Sequence, residues 1–179
     1  MKNVILGIGI AGSGKTTVLK NFAEKYGYAY ICPDNIRQEM TGNAADQSRN
    51  REVWAEAYQR TRERLHEGAT VVLDATFANS RERKDFIAFV REQGAEKVEG
   101  IFLDVPFEVA KERNQMRERK VPDYAMKDME RNLRDSLPEI NDGFDALFTL
   151  NHEQQLVEVK MRNNGEENNI IHKEFGKPL

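Results

Sequence analysis

Residues 9–16 read Gly9-Ile10-Ala11-Gly12-Ser13-Gly14-Lys15-Thr16, the pattern G-x-x-x-x-G-K-T. The apolar run Val4-Ile5-Leu6-Gly7-Ile8 precedes it and has the length of a buried strand. Val18, Leu19, Phe22, Ala23 and Tyr26 follow at helical spacing. Strand, glycine-rich turn and helix in that order give the stretch its physical meaning. Gly9 and Gly14 permit backbone conformations that a Cβ would forbid. Successive N–H groups can then converge into an anion-binding nest backed by the positive end of the helix. Lys15 reaches the outer phosphates of a nucleotide, and the Thr16 hydroxyl can hold Mg²⁺. Gly12, Ser13 and Thr17 complete the expected phosphate-lining set with Gly9, Gly14, Lys15 and Thr16.

Outward from this loop, strands and helices alternate to residue 150, which implies a parallel sheet with crossover helices. Strands are expected near 3–9, 28–31, 69–73, 98–103 and 146–150, and helices near 15–26, 33–40, 49–67, 79–94, 106–116 and 126–137. The fold class is therefore α/β, a P-loop NTPase fold with about five parallel strands flanked by helices. Residues 1–150 are expected to form the nucleotide-binding domain, with a lid at about 113–123 around basic residues and Pro122. Residues 151–179 break the rhythm. Leu156–Met161 and Ile171–Phe175 alternate apolar and polar around Asn163-Asn164-Gly165, which predicts a C-terminal β-hairpin, or an interaction arm, within the same domain.

Composition sets the outer bounds. The chain has 179 residues, of which 39% are hydrophobic and 32% charged, in keeping with one globular domain rather than disorder. No apolar run reaches the length of a membrane span, and no basic-then-apolar leader opens the chain, so a cytoplasmic location is expected. Cys32 is the single cysteine, which excludes an internal disulfide and reads as a packing residue. His66, His152 and His172 lack metal-ligand spacing. A net charge of -3 argues against a surface that coats nucleic acid, while leaving room for one strand end in a locally basic cleft.

In open α/β sheets, ligands bind beyond the carboxyl ends of the strands. That edge should receive the phosphate loop, Asp34 and Arg37 after the second strand, Asp74 and Thr76 after the third, and Arg113 and Arg117 after the fourth. One phosphate cradle, two carboxylates and several arginines suit phosphoryl transfer, where positioning and charge neutralisation dominate. Asp34 is a candidate general base, or else a helix N-cap. Arg37, one turn later, adds an anion-binding fork. Asp74 is placed to act on Mg²⁺ or simply to end its strand. Thr76 is a substrate contact or a cap. Arg113 and Arg117 share a helix face and could close over donor phosphates, or remain surface charge. Trp54 is a core residue or a stacking platform for a base.

These residues resemble a known family. GIAGSGKT, Pro33-Asp34-Asn35-Ile36-Arg37, Leu73-Asp74-Ala75-Thr76, Leu103-Asp104-Val105-Pro106, Glu112-Arg113-Asn114-Gln115-Met116-Arg117 and Val121-Pro122 are similar, over about residues 1–137, to the 5′-kinase domain of phage-type polynucleotide kinase and the small AAA-like P-loop kinases around it. The resemblance implies an ATP-dependent, Mg²⁺-assisted phosphotransferase acting on a polynucleotide 5′-hydroxyl. It implies Asp34 as general base, Arg37 on the acceptor phosphate, Lys15 and Thr16 in the phosphate loop, and Arg117 as the lid arginine on the donor phosphates. Ala75 stands where the family's polynucleotide kinase has a threonine. No Asp-x-Asp-Gly-Thr motif occurs, so 3′-phosphatase activity is not expected. A nucleoside, sugar or antibiotic is the alternative acceptor. A nucleotide switch, or a toxin-like kinase acting on a sugar nucleotide, is a further class. The Asn-Lys-x-Asp pattern of guanine-reading GTPases is absent.

Overall fold

The computed structural model describes residues 1–162 and 169–179. Six strands form one sheet in the order β2-β3-β1-β4-β5-β6. They span Asn3–Ile8 (β1), Ala29–Ile31 (β2), Val71–Asp74 (β3), Lys97–Leu103 (β4), Ala146–Leu150 (β5) and Leu156–Met161 (β6). The first five run parallel, and β6 runs antiparallel to β5 at the edge. Helices occupy Lys15–Tyr26 (α1), Pro33–Thr41 (α2), Asn50–His66 (α3), Ser80–Glu92 (α4), Phe107–Gln115 (α5), Asp123–Asp135 (α6) and Ile170–Phe175 (α7).

The sheet centre is built from the most apolar runs. Val4, Ile5 and Leu6 of β1 and Val71, Val72 and Leu73 of β3 are fully buried, as strands covered on both faces must be. The link from β1 to β2 runs one way along the sheet, and the links onward to β3, β4 and β5 run the other way. Right-handed crossovers therefore put α1 on one face and α3 and α4 on the other. Two aromatic clusters follow that division. Phe22 and Tyr26 of α1 pack with Tyr28 and with Phe175 of α7. Trp54 and Tyr58 of α3 pack with Phe77 and with Phe86 and Phe89 of α4. Between α4 and the 3-10 turn Ile140–Asp142, the fully buried Arg83 donates to Asp142 at 2.6 Å and to the carbonyls of Phe77 and Ser136.

The C-terminal hairpin is present with different partners. β6 folds back on β5 through residues 151–155, whereas Ile170–Phe175 is a helix. Asn169 caps that helix by accepting from the Ile171 amide, and Glu174 receives Lys25 and Tyr26 of α1. The expected turn Asn163-Asn164-Gly165 lies outside the described residues. No helix among the described residues is long and apolar enough to cross a membrane.

Candidate active site

The phosphate loop fills residues 9–14, between β1 and α1. Gly12 has φ +78°, and a Cβ there would stand 2.1 Å from the Ala110 carbonyl oxygen, so α5 closes directly over the loop. Gly14 takes the left-handed conformation ahead of α1, which has no side-chain cap. The backbone N–H groups of Lys15, Thr16 and Thr17 find no protein acceptor among the described residues, and Ser13 Oγ is buried without a partner. A row of unused donors at a helix start fits a chain of phosphate oxygens.

Asp74, at the end of β3, is the hub of the donor side. Its Oδ1 accepts from Lys15 Nζ at 2.6 Å, and its Oδ2 accepts from Thr16 Oγ1 at 2.7 Å and Tyr30 Oη at 2.6 Å. Burial pushes its carboxyl up, but the Lys15 ammonium and these hydrogen bonds more than offset that and hold it below the usual carboxylate range. Burial and the Asp74 charge push the Tyr30 phenol well up, so it stays a neutral donor. Thr16 Oγ1 lies in contact with the ionised Asp74 carboxylate, and a hydroxyl beside a carboxylate is an all-oxygen donor set that would suit Mg²⁺.

Across the sheet edge, α2 presents Asp34 and Arg37. Asp34 is not a cap, because α2 begins after Cys32 without a side-chain cap. Its half-exposed carboxylate accepts from Arg37 Nη1 on one oxygen and from Arg119 Nη2 on the other, each at 2.5 Å. Arg37 is itself buried and is steadied by Asn50 at 2.8 Å. Residues 116–122 link α5 to α6 and are pinned at their base by Asn114. The Asn114 side chain donates to the Val121 carbonyl at 2.8 Å and accepts its amide at 3.0 Å.

Comparison with known proteins follows this geometry. A family model described as an AAA domain matches residues 4–135, from β1 to the end of α6. The chain belongs to this AAA domain family. A protein of Acanthamoeba polyphaga mimivirus named as a bifunctional polynucleotide phosphatase/kinase is 27% identical over 156 residues, covering 83% of this chain and 33% of that protein. The chain thus spans about a third of the length of that curated relative. Among solved structures, one of the Pnkp1/Rnl/Hen1 RNA repair complex matches with a TM-score of 0.69 and 17% identity, over 93% of this chain and 50% of the other. A sugar kinase of Janibacter sp. HTCC2649 matches with a TM-score of 0.61 and 23% identity, over 86% and 87%. The fold is that of P-loop kinases.

The AAA domain brings Lys15, Thr16 and Asp74 into mutual contact, and Asp34 and Arg37 likewise. Arg113 reaches the loop through backbone, donating to the Ser13 carbonyl at 3.4 Å and the His152 carbonyl at 2.7 Å. Arg117 is half-exposed and makes no side-chain hydrogen bond among the described residues. Thr76 contributes its carbonyl, which accepts the Gly9 amide at 3.2 Å, just before Phe77 turns to φ +45°. Cys32 is buried with its thiol pushed up, first by burial, as a packing residue should be. Trp54 packs edge-on to Phe77. Sequence reasoning missed Tyr30 and Arg119. Tyr30 lies one strand from Asp74, and only the β2–β3 register reveals the proximity. Arg119 sits in a loop without periodicity, and no local pattern singles it out from its basic neighbours.

Proposed function

We propose that the chain is an ATP-dependent phosphotransferase that moves the γ-phosphate to the 5′-hydroxyl of a polynucleotide. The observation that carries this reading is Asp34, an accessible carboxylate gripped by guanidiniums on the same sheet edge as the phosphate loop. A base beside an anion-binding fork suits a hydroxyl whose neighbour is a phosphate, as at a strand end. The name of the mimivirus relative supports the same acceptor.

In this reading the acceptor oxygen forms a bond to the γ-phosphorus while the bond from that phosphorus to the β–γ bridging oxygen breaks. The electron pair leaves with ADP, and the hydroxyl proton passes to Asp34. Lys15 moves from Asp74 onto the β- and γ-phosphates, and the amides of Lys15, Thr16 and Thr17 hold the chain of oxygens. Mg²⁺ held by Thr16 and Asp74 would neutralise the charge shared between those phosphates. Residues 113–123 act as the lid, with Arg117 and Arg113 on the donor side, excluding water that would otherwise be phosphorylated. A small-molecule acceptor is the second reading. Ala75 favours it, because no hydroxyl follows Asp74 to help hold an acceptor phosphate.

The test is transfer of labelled γ-phosphate to an oligonucleotide with a free 5′-hydroxyl, with Asp34→Asn as control. Label on the oligonucleotide that disappears in the variant supports the proposal. Label on a sugar or nucleoside but on no oligonucleotide overturns the acceptor, and label on neither overturns the kinase.

A further inference from the structure

Arg119 lies two residues beyond Arg117, yet it faces the acceptor side. Its Nη2 donates to Asp34 at 2.5 Å and its Nη1 to the Ala44 carbonyl at 2.9 Å, on the loop after α2. Arg37 converges on the same two acceptors, with Nη1 on Asp34 and on the Ala44 carbonyl at 3.5 Å. Two guanidiniums thus lie side by side with a single carboxylate between them. Arg37 is buried, and its Nε has no acceptor among the described residues.

The charge of this cluster is uneven. Among the groups in direct contact, two cations and one anion leave a net positive charge. Asp46, whose carboxyl is lowered by the Ser48 hydrogen bonds and by the Arg37 charge, stands farther off. Crowding like charges is costly without a further anion to separate them. The spare donors are guanidinium N–H groups, whose planar forks match the oxygens of a phosphate. One cation is fixed on α2, and the other rides on the segment that closes over the cleft. An anion bound by both would tie that segment down.

We propose that Arg119 is a specificity-determining residue: with Arg37 it clamps a phosphate carried by the acceptor beside the reacting hydroxyl, and the clamp draws the lid shut over the acceptor. This rests on the kinase reading above. Acceptors with a phosphate ester next to the hydroxyl-bearing unit are selected over their phosphate-free counterparts. The lid reports on both substrates, through Arg113 and Arg117 for the donor and Arg119 for the acceptor.

The experiment compares a nucleoside 3′-monophosphate with the matching nucleoside as acceptors for wild type, Arg119→Ala and Arg119→Lys. A hexose phosphate with its hexose, in parallel, tells a nucleotide from a sugar as carrier of the phosphate. Arg119→Ala is expected to lose at least about tenfold more in kcat/KM on the phosphorylated acceptor than on the phosphate-free one, the worth of a charged hydrogen bond, because the lost contact to Asp34 touches both acceptors and the lost phosphate contact only one. Arg119→Lys keeps part of the discrimination, and guanidinium ion restores part of it to Arg119→Ala. Equal losses on both members of a pair overturn the proposal, since a merely structural lid residue would give that result. Calorimetric titration of the nucleoside 3′-monophosphate into protein saturated with a non-hydrolysable ATP analogue separates this proposal from the kinase reading. If wild type phosphorylates nothing but binds the monophosphate at least about tenfold tighter than Arg119→Ala does, the clamp stands and the kinase reading falls. Equal affinity overturns the clamp.

Discussion

Replacing Tyr30 by phenylalanine removes one oxygen and leaves the ring. The lost contact is the 2.6 Å donation to Asp74 Oδ2, into a carboxylate that is almost wholly out of water. A hydrogen bond to a charged group contributes about 1.5–3 kcal/mol. Asp74 keeps Lys15 and Thr16, so the lower part of that range applies, about 1.5–2 kcal/mol. For a domain of this size the melting temperature should fall by about 3–8 °C. The dependence on pH carries the diagnosis. The Asp74 carboxyl is held low in the folded state, so its stabilisation is present above the unfolded value near 4 and lost as pH falls through the lower folded value. The gap between wild type and Tyr30→Phe should be constant from about pH 6 to 8 and shrink below about pH 4. At the alkaline end the sign reverses. The Tyr30 phenol is raised in the folded state, so wild type loses stability above about pH 10, as the unfolded chain ionises, and the phenylalanine variant is spared that loss. Thermal melts of the ligand-free protein from about pH 2.5 to 10.5 measure both limbs. A gap that stays undiminished well below about pH 4, or no gap at all, would refute the account of Asp74 as an ionised hub.

Three further outcomes follow from the same geometry. Lys15→Ala should cut turnover by several orders of magnitude at an almost unchanged circular dichroism spectrum, because in the proposed reaction Lys15 leaves Asp74 to meet the transferring phosphate, and near-normal turnover would disprove the assignment. Arg37→Ala should weaken acceptor binding by about 1–3 kcal/mol, read as KM and kcat/KM against acceptor concentration, and a change confined to the KM for ATP would move Arg37 to the donor side. Gly12→Ala should abolish nucleotide binding, measured with a fluorescent ATP analogue, since the methyl group would press within 2.1 Å of the Ala110 carbonyl from a left-handed backbone position. Binding at wild-type affinity would show that α5 can retreat from the loop.

The parallel sheet could be read from the sequence because its inner strands are covered on both faces and leave continuous apolar runs. Val4–Ile8 and Val71–Leu73 are of that kind. That Asp34, Arg37 and Asp74 gather at the carboxyl edge of the sheet was legible because two of them follow β2 and the third ends β3. The end of the chain was harder to read. In Ile170–Phe175, Ile171 and Phe175 are two strand periods apart and also one helical turn apart, and six residues cannot tell the two templates apart. The helix is decided by tertiary contacts, Phe175 on Phe22 and Glu174 on Lys25, which no local window contains. Arg119 and Tyr30 were missed for the same reason, since their partners lie 85 and 44 residues away in sequence.

The strand order has a consequence for how the chain comes off the ribosome. β1 carries the phosphate loop and lies between β3 and β4, so neither of its hydrogen-bonding edges has a partner until residues 71–74 and then 97–103 are made. At roughly 5–20 residues per second, that leaves an apolar strand with two open edges for several seconds. Folding is then dominated by contacts distant in sequence, which slows it. Chaperone dependence during synthesis, and aggregation of nascent chains halted between β1 and β4, are the expected signature, strongest when the halt falls before residue 71 and both edges of β1 are open.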